Sequence, residues 1–188
     1  MYNQFMVDFF KSIPHKFSSQ DKTLIARAID FASKAHKGQK RMSGEEYINH
    51  PISAAIILAQ IFPDTATICA TILHDITEDT EVSQEELTKE FSEEIAELVD
   101  GVTKLGHVRL LNSKDEYYVE NLRKMFIATS RDVRVMLVKL SDRLHNMRTI
   151  KYLSPEKQHK IASETLVMYA PIAGRLGIGS WKDELEDL

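Results

Sequence analysis

The segment between Pro63 and Thr80 constrains the fold more than any other part of the chain. Its apolar residues recur at spacings that place them on almost every side of an α-helix, rather than on one face. A helix of this kind is buried, because a surface helix keeps a polar face. The apolar positions are Ile68, Cys69, Ala70, Ile72, Leu73 and Ile76. The segment therefore predicts a buried helix that starts after Pro63 and ends near Thr80.

The remaining segments also favour helices, because strongly alternating runs are absent and glycine and proline fall mostly between periodic segments. A helix is predicted from the Ser18-Ser19 pair to about Lys34, followed by a loop or short hairpin over residues 39–47. Pro51 suits a first helical turn, which places His50 at the cap of the next helix. Further helices are predicted over residues 93–102, 114–128, 132–150 and 155–170. We therefore predict an all-α fold.

The length and composition fit one globular domain. The chain has 188 residues, of which 43% are hydrophobic and 28% are charged. A chain of this length buries roughly two thirds of its unfolded surface. We therefore predict a single domain over residues 1–188.

The net charge, the cysteine count and the hydropathy limit which partners the protein is expected to bind and in which compartment it is expected to act. The formal net charge of -4 argues against stable nucleic-acid binding. Cys69 is the single cysteine, and the N-terminal segment lacks the order of a secretory signal. No apolar run approaches the ~20 residues of a membrane span. We therefore expect a cytoplasmic protein that does not act in a membrane.

The end of the buried segment carries four ionisable side chains, in the sequence ILHDITEDT (residues 72–80). On a helix His74 lies one turn before Glu78, and Asp75 lies one turn before Asp79. All four side chains therefore fall within an arc of about 140° around the helix axis. Because the preceding turns are apolar, these groups are expected at the edge of the core, where an unpaired charge is costly. A bound cation would compensate that cost. The alternative is a helix end whose acidic groups face water.

A second polar set lies in KLSDRLHNMRT (residues 139–149). Asp142, Asn146 and Thr149 recur at i, i+4 and i+7, so they form one polar stripe on a helix. The opposite side is apolar, and by periodicity alone the stripe is predicted to face solvent. A partner site elsewhere in the fold would change that prediction. His145 lies near the edge of the stripe, where a structural histidine and a ligand are equally consistent with the pattern.

His50, in the sequence YINHP, is the third element of interest. Taken alone it is typical of a helix cap or a loop. Two imidazoles together with the carboxylates of Asp75 and Asp142 make a mixed donor set that suits Mn²⁺, Fe²⁺ or Zn²⁺, with positions left for water. Such an ion activates water and neutralises phosphate oxygens, and a nearby carboxylate such as Glu78 can relay a proton. The set indicates phosphoester hydrolysis.

The order His50, His74-Asp75, Asp142 is similar to the H…HD…D pattern of HD-domain metal-dependent phosphohydrolases. Five segments narrow the resemblance: HKGQKRMSGEEYINHP, ILHDITEDT, GVTKL, KLSDRLHNMRT and ETLVMYAPIAGRLGI. Together they resemble the hydrolase domain of the RelA/SpoT homologues over residues 26–188, most of all a stand-alone small alarmone hydrolase. The resemblance implies an HD-domain bundle of about eight to ten helices. It implies no synthetase domain in this chain.

The RelA/SpoT homologues remove pyrophosphate from the 3′ position of guanosine tetraphosphate and pentaphosphate. The resemblance therefore implies hydrolysis of these small molecules to GDP and GTP, which ends stringent-response signalling. It implies that one Mn²⁺ is held by His50, His74, Asp75 and Asp142.

The resemblance also implies roles for residues around the ion. Glu78 and Asp79 would orient or activate the attacking water. The residues expected to bind substrate are Arg41, which would stack on the guanine, Ser43, Lys139, Asn146 and Thr149. Met42 departs from the family pattern, because many long relatives carry a second basic residue there.

Two alternatives stay open at this point. One is an HD-type phosphohydrolase of another nucleotide, such as NADPH, and the other is a non-catalytic nucleotide-binding module. The intact Glu78-Asp79 pair argues against the module. The sequence leaves open the oligomeric state, with a homodimer as one alternative, and whether the chain is a whole protein or an excised domain.

Overall fold

A computed structural model of the chain describes residues 4–13, 16–106 and 132–188. Over these ranges the regular structure is helical apart from one isolated bridge, which pairs Lys40 with Glu46, so the all-α prediction is confirmed. The predicted helix over residues 114–128 lies outside them. None of the helices in the described part of the chain has the length and apolar character to cross a membrane. The α-helices are α1 (Gln4–Ser12), α2 (Ser19–Ala35), α3 (Asn49–Ala59), α4 (Thr65–Leu73), α5 (Ile76–Asp79), α6 (Gln84–Glu90), α7 (Glu93–Gly106), α8 (Val133–Arg148), α9 (Pro155–Glu164), α10 (Ala170–Arg175) and α11 (Gly179–Asp187).

Helix α4 lies at the centre of the bundle and is buried on every side. All its residues from Thr67 to Leu73 are buried, and it packs against α2, α3, α7 and α8. Asp64 fixes its start, because its carboxylate accepts a hydrogen bond of 2.9 Å from the Thr67 amide. The all-round apolar pattern therefore predicted this position correctly.

The predicted continuation of this helix to Thr80 is wrong. Helix α4 ends at Leu73, His74 and Asp75 form a turn, and the short helix α5 follows. His74 Nδ1 lies 2.7 Å from the Thr71 carbonyl oxygen, the acceptor that a continuing α-helix would offer to the Asp75 amide. The turn separates His74 and Asp75 from the Glu78 and Asp79 helix, so the four side chains do not share one helix face.

The segment before α4 contains the predicted helix and hairpin, but the predicted position of His50 as a helix cap is wrong. Helix α2 begins with a reciprocal capping box between Ser18 and Asp21, and Gly38 beyond its end has a φ of 84°. The bridge between Lys40 and Glu46 makes the predicted short hairpin. His50 does not cap α3, because the helix already begins at Asn49 and His50 is buried within its first turn.

The C-terminal helix predicted over residues 155–170 continues further. Helix α9 leads into a π-helical turn, Thr165–Tyr169, and then directly into α10. Pro171 lies in the first turn of α10 and has no amide proton to donate to the preceding turn. The wider π turn accommodates this missing hydrogen bond without ending the helix. Neither α1 nor α11 has a counterpart among the predicted helices.

Helices α7 and α8 approach each other closely at Gly101. A Cβ atom on Gly101 would lie 2.8 Å from Val135 Cγ2, closer than real Cβ contacts allow. Val135 is buried on α8, the helix that carries Asp142. The glycine therefore sets the distance between α7 and α8.

We expect Gly101→Ala to destabilise the protein by about 1 to 2 kcal/mol, because the added methyl group overpacks this contact. Helix propensity alone predicts the opposite, a gain of about 1 kcal/mol. Urea denaturation measures the difference. In a Val135→Ala background the same change should be neutral or stabilising. Stabilisation by Gly101→Ala in the unaltered chain would contradict the assigned contact.

Candidate metal centre

Four predicted side chains from three parts of the bundle meet at the edge of the core. His50 comes from α3, His74 and Asp75 from the turn after α4, and Asp142 from α8. His50 Nε2 lies 3.2 Å from Asp142 Oδ1 and 3.7 Å from Asp75 Oδ2. His74 Nε2 lies 3.0 Å from Asp75 Oδ1 and 3.7 Å from Asp142 Oδ1. The fold therefore brings together residues that are up to 92 positions apart, counted from His50 to Asp142.

The donor atoms of this cluster fit a divalent cation. His50, His74 and Asp142 are buried, and each offers a ligand atom within 4.8 Å of the others. His74 Nε2 is buried and makes no hydrogen bond with any described residue, although it faces two carboxylates. A buried polar atom without a hydrogen bond is costly, and coordination of a metal ion would satisfy it. Two imidazoles and two carboxylates are the donors that Mn²⁺, Fe²⁺ and Zn²⁺ accept.

The ionisation of the cluster favours positive charge between the two aspartates. Burial opposes ionisation of Asp142, but the Lys139 ammonium and the two histidines hold the pKa of its carboxyl well below the usual range. Burial likewise opposes ionisation of Asp75, and His74 lowers the pKa of Asp75 in spite of it. Both carboxylates are therefore charged, and they require a compensating cation.

Burial and the two carboxylates shift the pKa values of the two histidines in opposite directions. Burial lowers the pKa of His74, but Asp75 and Asp142 outweigh it and raise the pKa to about 10. Burial lowers the pKa of His50, and repulsion from His74 adds to that effect. The carboxylates thus favour one positive charge at this point, either a proton on His74 or a metal ion bound by both imidazoles.

Outer contacts hold the ligand side chains in place. Asp142 Oδ2 pairs with Lys139 Nζ at 2.9 Å, and Asp142 Oδ1 accepts a hydrogen bond of 2.6 Å from Asn146 Nδ2. His50 Nδ1 lies 2.7 Å from His145 Nδ1. The predicted solvent-facing stripe on α8 is therefore wrong for Asp142, which is buried where α8 packs against α3 and α4.

Asp79 is held by residues that precede α3. Tyr47 Oη lies 2.7 Å from Asp79 Oδ2 and 2.8 Å from Asp75 Oδ2, so its single proton is shared between the two carboxylates. Gln39 Nε2 donates to the Asp79 carbonyl oxygen at 2.7 Å. The Tyr47 ring stacks on His36 with ring centroids 4.7 Å apart. Asp79 is therefore tied to the cluster through Tyr47.

Glu78 lies on the exposed side of the site. Its carboxylate and Lys139 Nζ both lie within 4.0 Å of the point that a Cβ atom on Gly106 would occupy. Glu78 and Lys139 therefore border one small space at the end of α7, where a glycine leaves room.

The residues predicted to bind substrate differ in whether hydrogen bonds or ion pairs link them to the cluster. Arg41 donates a hydrogen bond of 2.7 Å to Asn146 Oδ1, which links the hairpin to α8, and Lys139 contacts Asp142 as described above. Thr149 caps the end of α8, one turn after Asn146. Ser43 is joined to Glu45 within the hairpin, at 3.3 Å, rather than to the cluster. Met42 beside Arg41 is 73% exposed.

Sequence reasoning missed the contributions of Tyr47 and Gln39. Both lie in the segment HKGQKRMSGEEYINHP, in which the resemblance implied roles for Arg41, Ser43 and His50. The signal in the sequence is a tyrosine three residues before His50, since a tyrosine hydroxyl near the core usually has a hydrogen-bond partner. Its partners lie on α5 and in the preceding turn, which no local pattern reveals.

A helical bundle with this buried His and Asp cluster defines a metal-site protein of the all-α class. Residues 28–179 match the HD domain family. The chain therefore belongs to the HD domain family. A structure described as a metazoan orthologue of SpoT that hydrolyses ppGpp has the same fold, with a TM-score of 0.61, 22% identity and coverage of 92% of this chain and 87% of that one.

Relatives with higher identity are longer proteins. A probable guanosine-3′,5′-bis(diphosphate) 3′-pyrophosphohydrolase of Synechocystis sp. is 51% identical over 90% of this chain, which covers 23% of that protein. A GTP pyrophosphokinase of Myxococcus xanthus is 51% identical over 89% of this chain, which covers 22% of its length. The chain thus spans less than a quarter of the length of these relatives.

We expect Lys139→Met to destabilise the protein by about 3 kcal/mol, because it leaves the buried Asp142 carboxylate with less compensating charge. The measurement is urea denaturation in the presence of a chelator, since a bound ion would also compensate Asp142. Lys104→Met is the matched control, because it removes an exposed pair with Asp100 and should cost about 0.5 kcal/mol or less. Equal losses in the two variants would contradict the role assigned to Lys139.

Proposed function

We propose that this chain is a Mn²⁺-dependent hydrolase of guanosine 3′,5′-bis(diphosphate) and guanosine pentaphosphate. It releases the 3′-pyrophosphate and leaves GDP or GTP. The observation that carries this proposal is the convergence of His50, His74, Asp75 and Asp142, whose imidazole nitrogens and carboxylate oxygens lie 3.0 to 3.7 Å apart. The name of the Synechocystis relative supports the substrate class, because that protein is 51% identical over 90% of this chain.

We assign the four cluster residues as the ligands of one Mn²⁺. When bound, the ion supplies Lewis acidity, which neutralises phosphate oxygens and lowers the pKa of coordinated water. The protein's part is to keep both aspartates ionised and both imidazoles oriented. Lys139 and Asn146 do this for Asp142, and the Thr71 carbonyl does it for His74.

We assign Glu78 and Asp79 to the attacking water. Asp79 is suited to orient it, because Tyr47 and Gln39 fix both its carboxylate and its carbonyl. Glu78 is suited to accept its proton, since its carboxylate is exposed and borders the space at the end of α7.

We assign the guanine and ribose to the side of the cluster formed by the hairpin and α8. Arg41 and Asn146 are linked there, and Asn146 in turn contacts Asp142, so the nucleoside site adjoins the ion. A planar guanidinium such as that of Arg41 is suited to stack on a base. Thr149, one turn further along α8, and Ser43 in the hairpin would line the same side. Lys139 and Arg41 supply positive charge for the phosphates, although the chain as a whole is acidic.

We treat residues 1–188 as a single hydrolase domain. Helices from α1 to α11 contribute to one buried core, and the family match extends over residues 28–179. A cytoplasmic location, a lack of stable nucleic-acid binding and the oligomeric state stay predictions from the sequence.

Purified protein with Mn²⁺ should convert guanosine 3′,5′-bis(diphosphate) to GDP and pyrophosphate. Ion-exchange chromatography of the products measures this directly. Release of orthophosphate would contradict the assigned bond, and preferential cleavage of NADPH would replace the substrate. Binding of the nucleotide without turnover would make the chain a nucleotide-binding module.

We expect Asp75→Ala to abolish both Mn²⁺ binding and hydrolysis, because it removes a ligand. Glu78→Ala should bind Mn²⁺ as the unaltered protein does, but should hydrolyse the substrate about a hundredfold more slowly or worse. Calorimetric Mn²⁺ titration and a steady-state assay separate the two effects. Loss of the ion in both variants would contradict the division of roles.

A further inference from the structure

One contact of the cluster has no role in the proposed function. His50 Nδ1 lies 2.7 Å from His145 Nδ1, and the two rings are tilted by 43° with centroids 4.8 Å apart. Two ring nitrogens at this distance make a hydrogen bond only if one carries a proton and the other does not. The direction of this bond therefore fixes the tautomer of both rings.

The direction of the bond follows from the opposite nitrogen of His50. Its Nε2 faces the cluster, 3.2 Å from Asp142 Oδ1 and 3.7 Å from Asp75 Oδ2. Under the proposed function, on which this step rests, Nε2 gives its lone pair to the ion. A neutral imidazole that does so carries its proton on Nδ1. His145 Nδ1 must then accept a hydrogen bond from His50 Nδ1–H, and the proton of His145 lies on its Nε2.

We propose that His145 is a positioning residue that accepts a hydrogen bond from His50 Nδ1 and so holds His50 in the tautomer and orientation that bind the ion. Histidine ligands almost always donate their second ring nitrogen to a partner, and loss of that partner weakens metal binding by about 10- to 100-fold. His74 has a main-chain partner of this kind, the Thr71 carbonyl. His145 supplies the equivalent for His50 from a side chain.

Helix α8 makes this arrangement possible. Asp142 and His145 are three residues apart, so they lie on adjacent positions of one helix surface, where one contacts His50 Nε2 and the other contacts His50 Nδ1. Asn146, next along the helix, contacts Asp142. One helix therefore provides a ligand and holds a second ligand that belongs to α3.

The test compares two substitutions that differ in one property. His145→Asn keeps an acceptor at the δ position, because the amide oxygen of asparagine can take the place of Nδ1. His145→Phe keeps an aromatic ring of similar shape without an acceptor. His159→Phe on α9 is the matched control, since His159 is exposed.

Calorimetric titration of nucleotide-free protein with Mn²⁺ is the measurement. We expect Kd to rise by about 10- to 100-fold in His145→Phe. It should return most of the way to the original value in His145→Asn and stay unchanged in His159→Phe. An unchanged Kd in His145→Phe would overturn the proposal, as would an asparagine variant that binds as weakly as the phenylalanine variant.

Two further outcomes separate this inference from the proposed function. If His145→Phe fails to fold, as judged by circular dichroism, then His145→Leu with its smaller side chain is titrated in its place, with the same expectation. If the unaltered protein binds Mn²⁺ but cleaves no nucleotide, the proposed function fails while the effect of His145 on Kd is still measured. If the unaltered protein binds no Mn²⁺, both proposals fall.

Discussion

The charge balance around Asp75 and Asp142 is the constraint on which the rest of the site depends. Two ionised carboxylates stand at the edge of an apolar core, where burial penalises each of them. They persist because Lys139 and the two histidines surround them, and because a divalent cation fits the same point. Most polar contacts of the cluster supply positive charge or hydrogen-bond donors to these two carboxylates.

The helical bundle places the compensating side chains around the two carboxylates by bringing three segments of the chain together. Helix α4 contacts both α3 and α8, so a single central helix aligns the segments that carry His50, His74 and Asp142. Burial of α4 on all sides keeps the turn at His74 and Asp75 in register with its neighbours. Packing in the core and the geometry of the His and Asp cluster are therefore parts of one arrangement, and the close approach of α7 to α8 at Gly101 belongs to it.

Hydrogen bonds connect the cluster to a residue assigned to substrate binding and to a residue assigned to the attacking water. In one direction Asp142 leads through Asn146 to Arg41, the residue assigned to the base. In the other, Asp75 leads through Tyr47 to Asp79, one of the residues assigned to the attacking water. Under these assignments, substrate recognition and water activation would share the two aspartates of the cluster, and the segment before α3 would contribute to both.

The sequence by itself determined the helical class, the burial of α4 and the identity of the four cluster residues. These follow from local periodicity and from residue types whose chemistry is distinctive, together with a family resemblance that covers most of the chain. The tertiary structure alone decided that Asp142 is buried, that the helix breaks at His74, and that Tyr47, Gln39 and His145 contact residues of the candidate site. The physical reason is that the burial of Asp142 and the contacts of Tyr47 and His145 depend on partners far away in sequence. Helix α3 covers Asp142, Tyr47 donates to carboxylates on α5 and in the turn before it, and His50 contacts His145 only when α3 packs on α8. Periodicity describes one helix at a time, whereas burial and hydrogen bonding are set by the neighbours that the fold supplies.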